Sequence, residues 1–359
     1  MSDLMSFEEF TEQVRKNVLD YLPMEYADAK IDISESRKIN SAYQGMTIKK
    51  EGQKIAAAVN LNEMYDKYQK TGELKPLLYE IAEIAVTQPE GVDVQKLESY
   101  EQAKDSLFIR ACNAGSNKEL LETVPHEIVG DLAMTFHVML GRDEEGYGSV
   151  IVSNEILEKF GVGKGQLKAD ALENSAKILS PSLEPMSNVM ARMLGMQNPD
   201  LRMTPFETAI ENFDFKQDNM FVLSNMSAVN GASTIFYPEV MEQIGDHAGG
   251  DFFVIPSSVH EVILVPDDGV MNRNDLENII RDINAHEVDP KDRLSDSLYH
   301  YDSKEHRLER AVDFEERQER ETSLGKAEKV SIKDRLKDAE AKVQEQKTVS
   351  RPQKEQTIG

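Results

Sequence analysis

The sequence predicts an α+β fold in which an antiparallel or mixed sheet is flanked by helices, with a charged, helical or disordered C-terminal tail. Three observations lead to this prediction. Runs rich in β-branched and aromatic residues are joined by short turns rather than by crossover helices. Segments with helical spacing of apolar residues are grouped around these runs. The composition then changes at Ser303, after which nearly half of the residues are charged, with mixed sign.

The first 90 residues are predicted to form an N-terminal α/β lobe. Apolar residues recur at helical spacing from Phe7 to Leu22, and Pro23 ends this helix. Three strand-like runs then predict a small antiparallel meander, at 31–39, 46–50 and 55–61. Two helical patterns close the lobe, at 62–69 and 74–86.

Residues 103–302 are predicted to form the main α+β body, after a connector that begins near Pro89. A helix is predicted over 126–140, because Pro125 suits a first helical turn. Four apolar residues would share one face of this helix: Ile128, Leu132, Phe136 and Leu140. Further helices are predicted at 155–160, 164–179, 186–195, 238–245 and 272–286. Strands are predicted at 108–112, 150–152, 220–224 and 233–236.

The segment 251–269 is the most strand-like part of the chain. Phe252 to Ile255 and Val259 to Val265 are dense in β-branched and aromatic residues, and Pro256-Ser257-Ser258 breaks them. This pattern predicts a β-hairpin. Apolar residues on both faces of the second run place it inside the sheet rather than at an edge.

Composition predicts a soluble, cytoplasmic protein. The single cysteine, Cys112, excludes intramolecular disulfides and fits a reducing compartment. The first ten residues lack the basic start and apolar run of a secretory signal. No window approaches the roughly 18 uninterrupted apolar residues of a transmembrane helix.

The negative charge is concentrated before the tail. The chain has a net charge of −24, whereas residues 303–359 contain 14 basic and 13 acidic residues. The remaining 302 residues therefore contain 27 basic and 52 acidic residues, a net charge of −25. Such a body would repel a phosphate backbone, so direct nucleic-acid binding is not expected. An acidic surface that keeps the protein soluble is the simpler interpretation, and an inhibitor that imitates DNA is an alternative.

One local cluster, Ser257, Ser258, His260 and Glu261, has the residue types of a nucleophilic hydrolase. On a regular strand, Ser258 and His260 would share a face while Glu261 points to the other, so Glu261 could not orient the imidazole. No G-x-S-x-G sequence surrounds either serine. The sequence therefore predicts no catalytic residue. Ser257, Ser258 and His260 remain the candidates of an alternative hydrolase hypothesis.

No cofactor or metal site is predicted. The seven histidines form no H-E-x-x-H motif. The glycines of Gly161 to Gly165 lack the spacing of a phosphate-binding loop, and a loop between two helices explains them. Five methionines are concentrated in one region and predict a soft core or, alternatively, an adaptable binding surface: Met186, Met190, Met193, Met196 and Met203.

Several segments resemble an uncharacterised family of bacterial domains of unknown function. They are Ala57 to Tyr68 (AAVNLNEMYDKY), the VPHEIVGDLAM run from Val124, Met220 to Ser233 (MFVLSNMSAVNGAS) and the hairpin FVIPSSVHEVILVP. The resemblance covers most of residues 5–300 and not the tail. It implies a possible association with mobile elements, and it implies no activity, ligand or catalytic residue.

The sequence thus favours a non-catalytic binding or accessory protein. The tail, residues 303–359, is the predicted docking segment for a protein partner, because Ser331 to Asp334 match a helix-capping box and a short heptad-like spacing follows. The alternatives are the hydrolase and the acidic DNA mimic. The oligomeric state is not predicted.

Overall fold

The structure is a computed structural model that describes residues 4–53, 56–87, 91–142, 146–196 and 203–324, together with Lys337 and Ala339. The described residues contain three antiparallel sheets and the helices that accompany them, so the predicted α+β class is confirmed. Residues 1–308 form one compact unit and residues 309–359 a second. The predicted boundaries of the lobe, body and tail stay a prediction. No helix of the described residues has the length and apolar character needed to cross a membrane.

The predicted N-terminal elements are confirmed. The helices are α1 (Phe7–Asn17), α2 (Leu61–Thr71) and α3 (Leu74–Val86), and the strands are β1 (Lys30–Lys38), β2 (Ser41–Lys49) and β3 (Ala58–Asn60). The strands pair in the order β1-β2-β3. Ser6 and Glu9 form a capping box at the start of α1, and Gly72 ends α2 in the left-handed conformation. Phe10, Ile48 and Ile81 are fully buried in a hydrophobic core built from this part of the chain.

A four-stranded sheet follows. It contains β4 (Leu107–Asn113), β5 (His126–Val129), β6 (Leu132–Arg142) and β7 (Tyr147–Ile151), with the short helices α4 (Tyr100–Ala103) and α5 (Lys118–Leu121). Strand β6 pairs with each of the other three. Nine consecutive residues of β6 are buried, from Leu132 to Leu140.

The helix predicted over 126–140 is wrong, because these residues form the antiparallel hairpin of β5 and β6. Gly130, with φ of 62°, supplies the left-handed turn between the strands. The apolar spacing that imitated a helix comes from a strand buried on both faces, in which the side-chain alternation disappears.

The third sheet has six strands. They are β8 (Pro181–Pro185), β9 (Phe221–Asn225), β10 (Phe252–Ile255), β11 (Val262–Pro266), β12 (Tyr299–Asp302) and β13 (Arg307–Arg310), in the order β13-β12-β10-β11-β9-β8. The predicted hairpin is confirmed, since β10 and β11 pair from Phe252–Pro266 to Ile255–Ile263. Both strands are interior, which confirms the prediction made for the second run. The helices are α6 (Asn154–Phe160), α7 (Lys164–Ile178), α8 (Met186–Met193), α9 (Phe206–Ala209), α10 (Pro238–Ala248) and α11 (Arg273–His286).

Two local predictions in this region are wrong. The run 233–236 belongs to a buried 3-10 helix, Gly231–Phe236, and not to a strand. Strand β11 begins at Val262, so residues 259–261 lie in a wide connection and not on a strand. A short apolar run has too few residues for its period to distinguish these states.

Tyr299 joins the four-stranded and six-stranded sheets. Its ring is fully buried, and its hydroxyl accepts hydrogen bonds from the backbone N–H of Asp131 at 3.0 Å and of Leu132 at 3.2 Å. The Asp131 carboxylate also accepts from Ser295 and Ser297. These hydrogen bonds fix the turn between β5 and β6 to the segment before β12. One hydrophobic core extends over both sheets.

In the second compact unit, the described residues include a helix at 311–324. The Arg317 guanidinium donates to the Glu309 carboxylate at 2.7 Å, and Arg310 donates to Asp313 at 2.7 and 2.8 Å. The capping box and heptad-like spacing predicted from Ser331 onward lie outside the described residues, apart from Lys337 and Ala339, and so does the polar C-terminal end.

Candidate functional site

The main cleft of the described residues lies in the unit 1–308 and has a volume of about 1170 Å3. Residues from the β1–β2 hairpin, from strands β4, β6 and β7, from the loop after β9, and from 291–292 line it. Five cations and one carboxylate are among the described lining residues: Arg37, Lys38, Arg110, Arg142, Lys291 and Asp292. We call this feature the basic cleft. Its cations are unexpected in a protein whose first 302 residues have a net charge of −25.

The tip of the β1–β2 hairpin is fixed beside the cleft by Asn40. This residue adopts a left-handed φ of 59°, which asparagine tolerates better than most side chains. Its side chain donates to the carbonyls of Lys291 at 2.9 Å and Arg293 at 2.8 Å. Its N–H donates to the Asn117 side chain at 2.7 Å, and Asn117 donates back at 2.7 Å. These four bonds hold Arg37 and Lys38 in the cleft lining.

Two of the cleft arginines have neutral partners. Arg110 of β4 donates to the side-chain oxygen of Asn230, and the Asn230 amide donates to the Tyr147 hydroxyl at 2.8 Å. Arg142, at the end of β6, donates to Ser227 at 3.2 Å and lies over the Tyr147 ring, 6.0 Å from its centroid. The result is one polar cluster that joins three strands to the loop after β9.

Burial sets the electrostatics of this cluster. Burial lowers the pKa of Arg110, and the Nε atom of its side chain is buried without a hydrogen-bond partner. Burial, and then the charge of Arg110, hold the pKa of His137 well below its usual value of 6.5. His137 is therefore neutral at physiological pH, and its Nε2 lies 3.0 Å from the Thr135 hydroxyl. Arg110 thus places a positive charge in the cleft lining, and none of the described carboxylates forms an ion pair with it.

The loop after β9 presents Asn230 to the cleft. Ala228 and Asn230 both have positive φ, 52° and 55°, an uncommon conformation for residues with a Cβ. Gly231 follows, where a Cβ atom would lie 2.5 Å from the carbonyl oxygen of His260 and 2.7 Å from the Asn225 nitrogen. Only glycine permits this close approach. The turn that the Asn-Gly pair indicates in the sequence therefore serves to place the Asn230 amide beside Arg110.

His260 lies next to the basic cleft without lining it. Its Nδ1 accepts the backbone N–H of Asn230 at 3.2 Å, and its Nε2 lies 3.3 Å from the Asp292 carboxylate. The proton of a neutral ring therefore lies on Nε2 and faces Asp292. The His260 side chain is 32% exposed and is therefore half-buried. Both ring nitrogens are engaged in fixing the loop that presents Asn230.

The two candidate serines are buried and occupied elsewhere. Ser257 is 8% and Ser258 6% exposed. The Ser258 hydroxyl accepts the backbone N–H of His260 at 3.0 Å, and Ser258 also forms an isolated β-bridge with Arg293. The carbonyl of Ser257 accepts the N–H of Leu294 at 3.1 Å. The segment brings the serines and His260 together along the chain, but neither hydroxyl bonds to the ring.

Glu261 is the acidic member of the predicted cluster. Burial raises the pKa of its carboxyl, while the charge of His260 and a hydrogen bond with Ser258 act in the opposite direction. The acid that faces the His260 ring is Asp292, thirty-two residues further along the chain. Sequence spacing could not find this partner, because the pairing depends on how segment 292–295 lies along the β10–β11 connection.

The cleft residues were not predicted from the sequence. They come from seven separate segments, so no motif joins them. One signal was available: Arg110 interrupts the apolar run Phe108 to Cys112, where a strand buried on both faces would not normally place a charge. Burial raises the pKa of the neighbouring Cys112 thiol to about 12, so this cysteine is not a nucleophile.

Two other predictions concern the described surface. Within the described ranges, no group of three or more His, Cys, Asp or Glu residues is arranged to hold a metal ion. The methionine region is not a soft core, because Met190, Met193 and Met196 are 56%, 82% and 59% exposed. The core interpretation is therefore wrong for these three residues of α8 and the loop that follows.

Comparison with known proteins gives a family and no activity. The model of a family of unknown function, DUF5688, matches residues 7–303. No curated protein and no solved structure matches the chain significantly. The match covers most of the chain, so the chain belongs to this family. It includes every residue that lines the basic cleft and ends close to the start of the predicted tail.

Proposed function

For this member of a family of unknown function, we propose a non-catalytic binding role in which the basic cleft holds an anionic ligand. The supporting observation is the cation-rich lining, five basic residues against one acid among the described residues, on an acidic body. A cleft lined by one sign of charge raises the local concentration of the opposite ion. The net charge of the first 302 residues is −25, so the cation-rich cleft is the feature that favours an anion.

The basic cleft is somewhat larger than a usual small-molecule site. Its volume of about 1170 Å3 exceeds the range of about 300–1,000 Å3 that is usual for such sites. Arg37 is paired with Glu35 at 2.9 Å and with Glu119, and Lys291 is paired with Asp289 at 3.4 Å. These two cations are partly neutralised. The attraction for a ligand therefore rests more on Arg110, Arg142 and Lys38.

The other hypotheses receive less support from this geometry. A hydrolase that uses Ser257 or Ser258 needs an imidazole free to accept the serine proton. His260 already accepts from Asn230 and faces Asp292. A DNA mimic needs a binding surface of carboxylates, whereas the main cleft is lined by cations. Both remain hypotheses, and an esterase or nuclease-inhibition assay would test them.

Calorimetric titration at low ionic strength tests the binding role, with citrate and inorganic pyrophosphate as two unrelated anions. We expect at least one to bind with a stoichiometry of one. The double variant Arg37→Gln/Lys38→Gln should weaken binding by about tenfold, since each lost charge near the ligand contributes about 1 kcal/mol or less. Affinity should also fall as salt is added.

A matched control removes the same charge elsewhere. Lys70 and Lys75 are exposed residues of the N-terminal helices that do not line the cleft. Lys70→Gln/Lys75→Gln should leave the affinity unchanged. Equal weakening by both double variants would mean that the ligand responds only to net charge. Absence of binding by both anions would contradict the proposal.

The accessory part of the proposal concerns a protein partner for the tail. Residues 309–359 form a compact unit of their own, and the family match stops at residue 303. Affinity capture with the full chain and with a chain that ends at Leu324 would test this role. The shorter chain keeps β13 and the helix at 311–324. A partner retained equally by both chains would contradict docking through residues 325–359.

A further inference from the structure

Arg110 and Arg142 differ from two other arginines that the structure describes, Arg192 and Arg317. Arg192 is paired with Glu184 and Arg317 with Glu309. For Arg110 and Arg142, no carboxylate of the described residues lies within ion-pair distance. Their acceptors are the neutral side chains of Asn230 and Ser227. The acidic sequence at 143–145 lies outside the described residues. We call Arg110 and Arg142 the arginine pair.

An uncompensated buried cation is unfavourable in the free protein. Moving a charge out of water costs several kcal/mol unless an opposite charge or several hydrogen bonds replace the solvent. Among the described residues, Arg110 has one hydrogen-bond acceptor for its five N–H donors, and its Nε is buried without a partner there. Ionisable groups perturbed by burial cluster at functional sites.

Neutral donors surround the arginine pair. The Tyr147 hydroxyl, the Asn230 amide and the Ser227 hydroxyl all belong to the same cluster. Each can donate to an anion once the present bonds are exchanged. Two fixed guanidinium groups with hydroxyl and amide donors between them form an arrangement suited to an oxygen-rich dianion. A carboxylate would neutralise only one of the two charges.

We propose that the arginine pair, with Tyr147 and Asn230, is a subsite for the phosphoryl group of a phosphomonoester. This inference rests on the proposed anion-binding role of the basic cleft and names the chemical class of its ligand. A phosphomonoester carries a charge close to −2 at pH 7 and presents three acceptor oxygens. Arginine recognises such oxygens through two parallel N–H donors. When the ligand binds, a phosphoryl oxygen replaces the Asn230 oxygen as the acceptor of the hydrogen bond from Arg110.

The cleft has room for the remainder of such a ligand. A phosphoryl group occupies a small part of its volume of about 1170 Å3. Lys38, which also lines the cleft, is held over the Tyr43 ring at 5.3 Å, and no ion pair is recorded for it in the described residues. The cleft therefore fits a ligand in which the phosphoryl group is one end of a larger molecule.

Titration with three probes at pH 8 tests the subsite: ribose 5-phosphate, inorganic phosphate and dimethyl phosphate. The first two are dianions at this pH, and the diester is a monoanion. We expect both dianions to bind and the diester to bind at least tenfold more weakly. Arg142→Gln changes an exposed side chain, so the variant folds, and it should weaken ribose 5-phosphate binding at least tenfold. Arg281→Gln, on the exposed face of α11, should have no effect.

Arg110→Met separates a ligand-binding role from a structural one. If Arg110 serves the ligand, the variant should lose phosphate binding while its thermal midpoint stays the same or rises, because an unpaired cation has been removed. A lower midpoint with retained phosphate binding would overturn the assignment. So would phosphate binding that Arg142→Gln leaves unchanged.

The outcomes also separate this inference from the binding role of the cleft. Citrate or pyrophosphate binding that depends on Arg37 and Lys38, together with no binding of ribose 5-phosphate or inorganic phosphate, would overturn the phosphomonoester subsite alone. Failure of all these anions to bind would overturn both proposals. Phosphate binding lost in Arg142→Gln and kept in Arg281→Gln would support both.

Discussion

Arg110 donates a hydrogen bond to the side-chain oxygen of Asn230, a neutral acceptor at a position where an acidic protein could have placed a carboxylate. Arg110 belongs to the four-stranded sheet, and Asn230 follows the β9 strand of the six-stranded sheet. The bond therefore connects two sheets while leaving the arginine charge in place. A carboxylate at position 230 would hold the guanidinium more strongly and would neutralise it.

Asn230→Asp should stabilise the protein and abolish phosphate binding. Aspartate tolerates the left-handed φ of 55°, and its carboxylate replaces the neutral amide acceptor, so that the hydrogen bond becomes an ion pair. The free energy of unfolding in urea should rise by about 1 kcal/mol. Ribose 5-phosphate should no longer bind, because the introduced charge occupies the arginine pair.

Asn278→Asp is the matched control for this substitution. Asn278 also accepts a hydrogen bond from an arginine, Arg281, at 2.7 Å, but the pair is exposed. Exposed ion pairs contribute about 0–1 kcal/mol, so stability should hardly change. Phosphate binding should stay at the wild-type level. A loss of stability in Asn230→Asp would show that the cluster does not hold an uncompensated positive charge.

The buried His137 should make stability depend on pH below about 6.5. Its folded pKa lies well below the usual value of 6.5, first because of burial and then because of Arg110. Below pH 6.5 the unfolded chain therefore binds a proton at His137 that the folded chain does not bind. The contribution of His137 to the free energy of unfolding is present above pH 6.5 and is lost as the pH is lowered. At pH 5.5 this residue alone should lower the free energy of unfolding by about 1.4 kcal/mol.

Urea unfolding at pH 7.5 and pH 5.5 measures this contribution. His137→Gln removes the titration and keeps a group that can bond to Thr135, so its stability should fall less over this interval than that of the wild type. His247→Gln, at an exposed position on α10, should behave as the wild type does. Parallel profiles for the wild type and His137→Gln would contradict the expected low pKa.

Tyr299→Phe should destabilise the junction between the two sheets by about 1–3 kcal/mol, since it removes the acceptor of one buried and one part-buried backbone N–H group. These are the N–H groups of Asp131 and Leu132, which donate to the hydroxyl at 3.0 and 3.2 Å. Tyr79→Phe is the control, because Tyr79 is 57% exposed. Equal free energies of unfolding for the two variants would show that the buried hydroxyl contributes little.

Local sequence patterns predicted the elements that have one solvent-exposed face, and they failed for an element that is buried on both faces. The β1–β2 hairpin and α11 have one solvated face, so their periodicity was readable. Strand β6 is buried along most of its length, and its apolar residues imitated a helix. Gly130, which supplies the turn with its φ of 62°, lies inside this spacing.

The candidate site could not be predicted in the same way, because it depends on contacts between distant segments. His260 was identified from its neighbours in the sequence, yet its partners are Asn230 and Asp292. Arg110 and Asn230 are 120 residues apart. A charged residue inside an apolar strand marks such a site only after the strand is known to be central. The chemistry of the cleft is therefore a property of the tertiary fold.

The ion pair between Glu184 of β8 and Arg192 of α8 should be needed for stability but not for binding. Glu184 is 5% exposed and accepts from Arg192 at 2.6 Å, while the Arg192 side chain is 32% exposed. Arg192→Leu leaves a buried carboxylate without its partner, so the free energy of unfolding should fall by about 1–3 kcal/mol. Glu184→Leu/Arg192→Leu should recover part of this loss, since no charge then remains buried. Ribose 5-phosphate affinity should be unchanged in both variants, because neither residue lines the basic cleft. A double variant less stable than Arg192→Leu would show that the carboxylate has further partners in the fold.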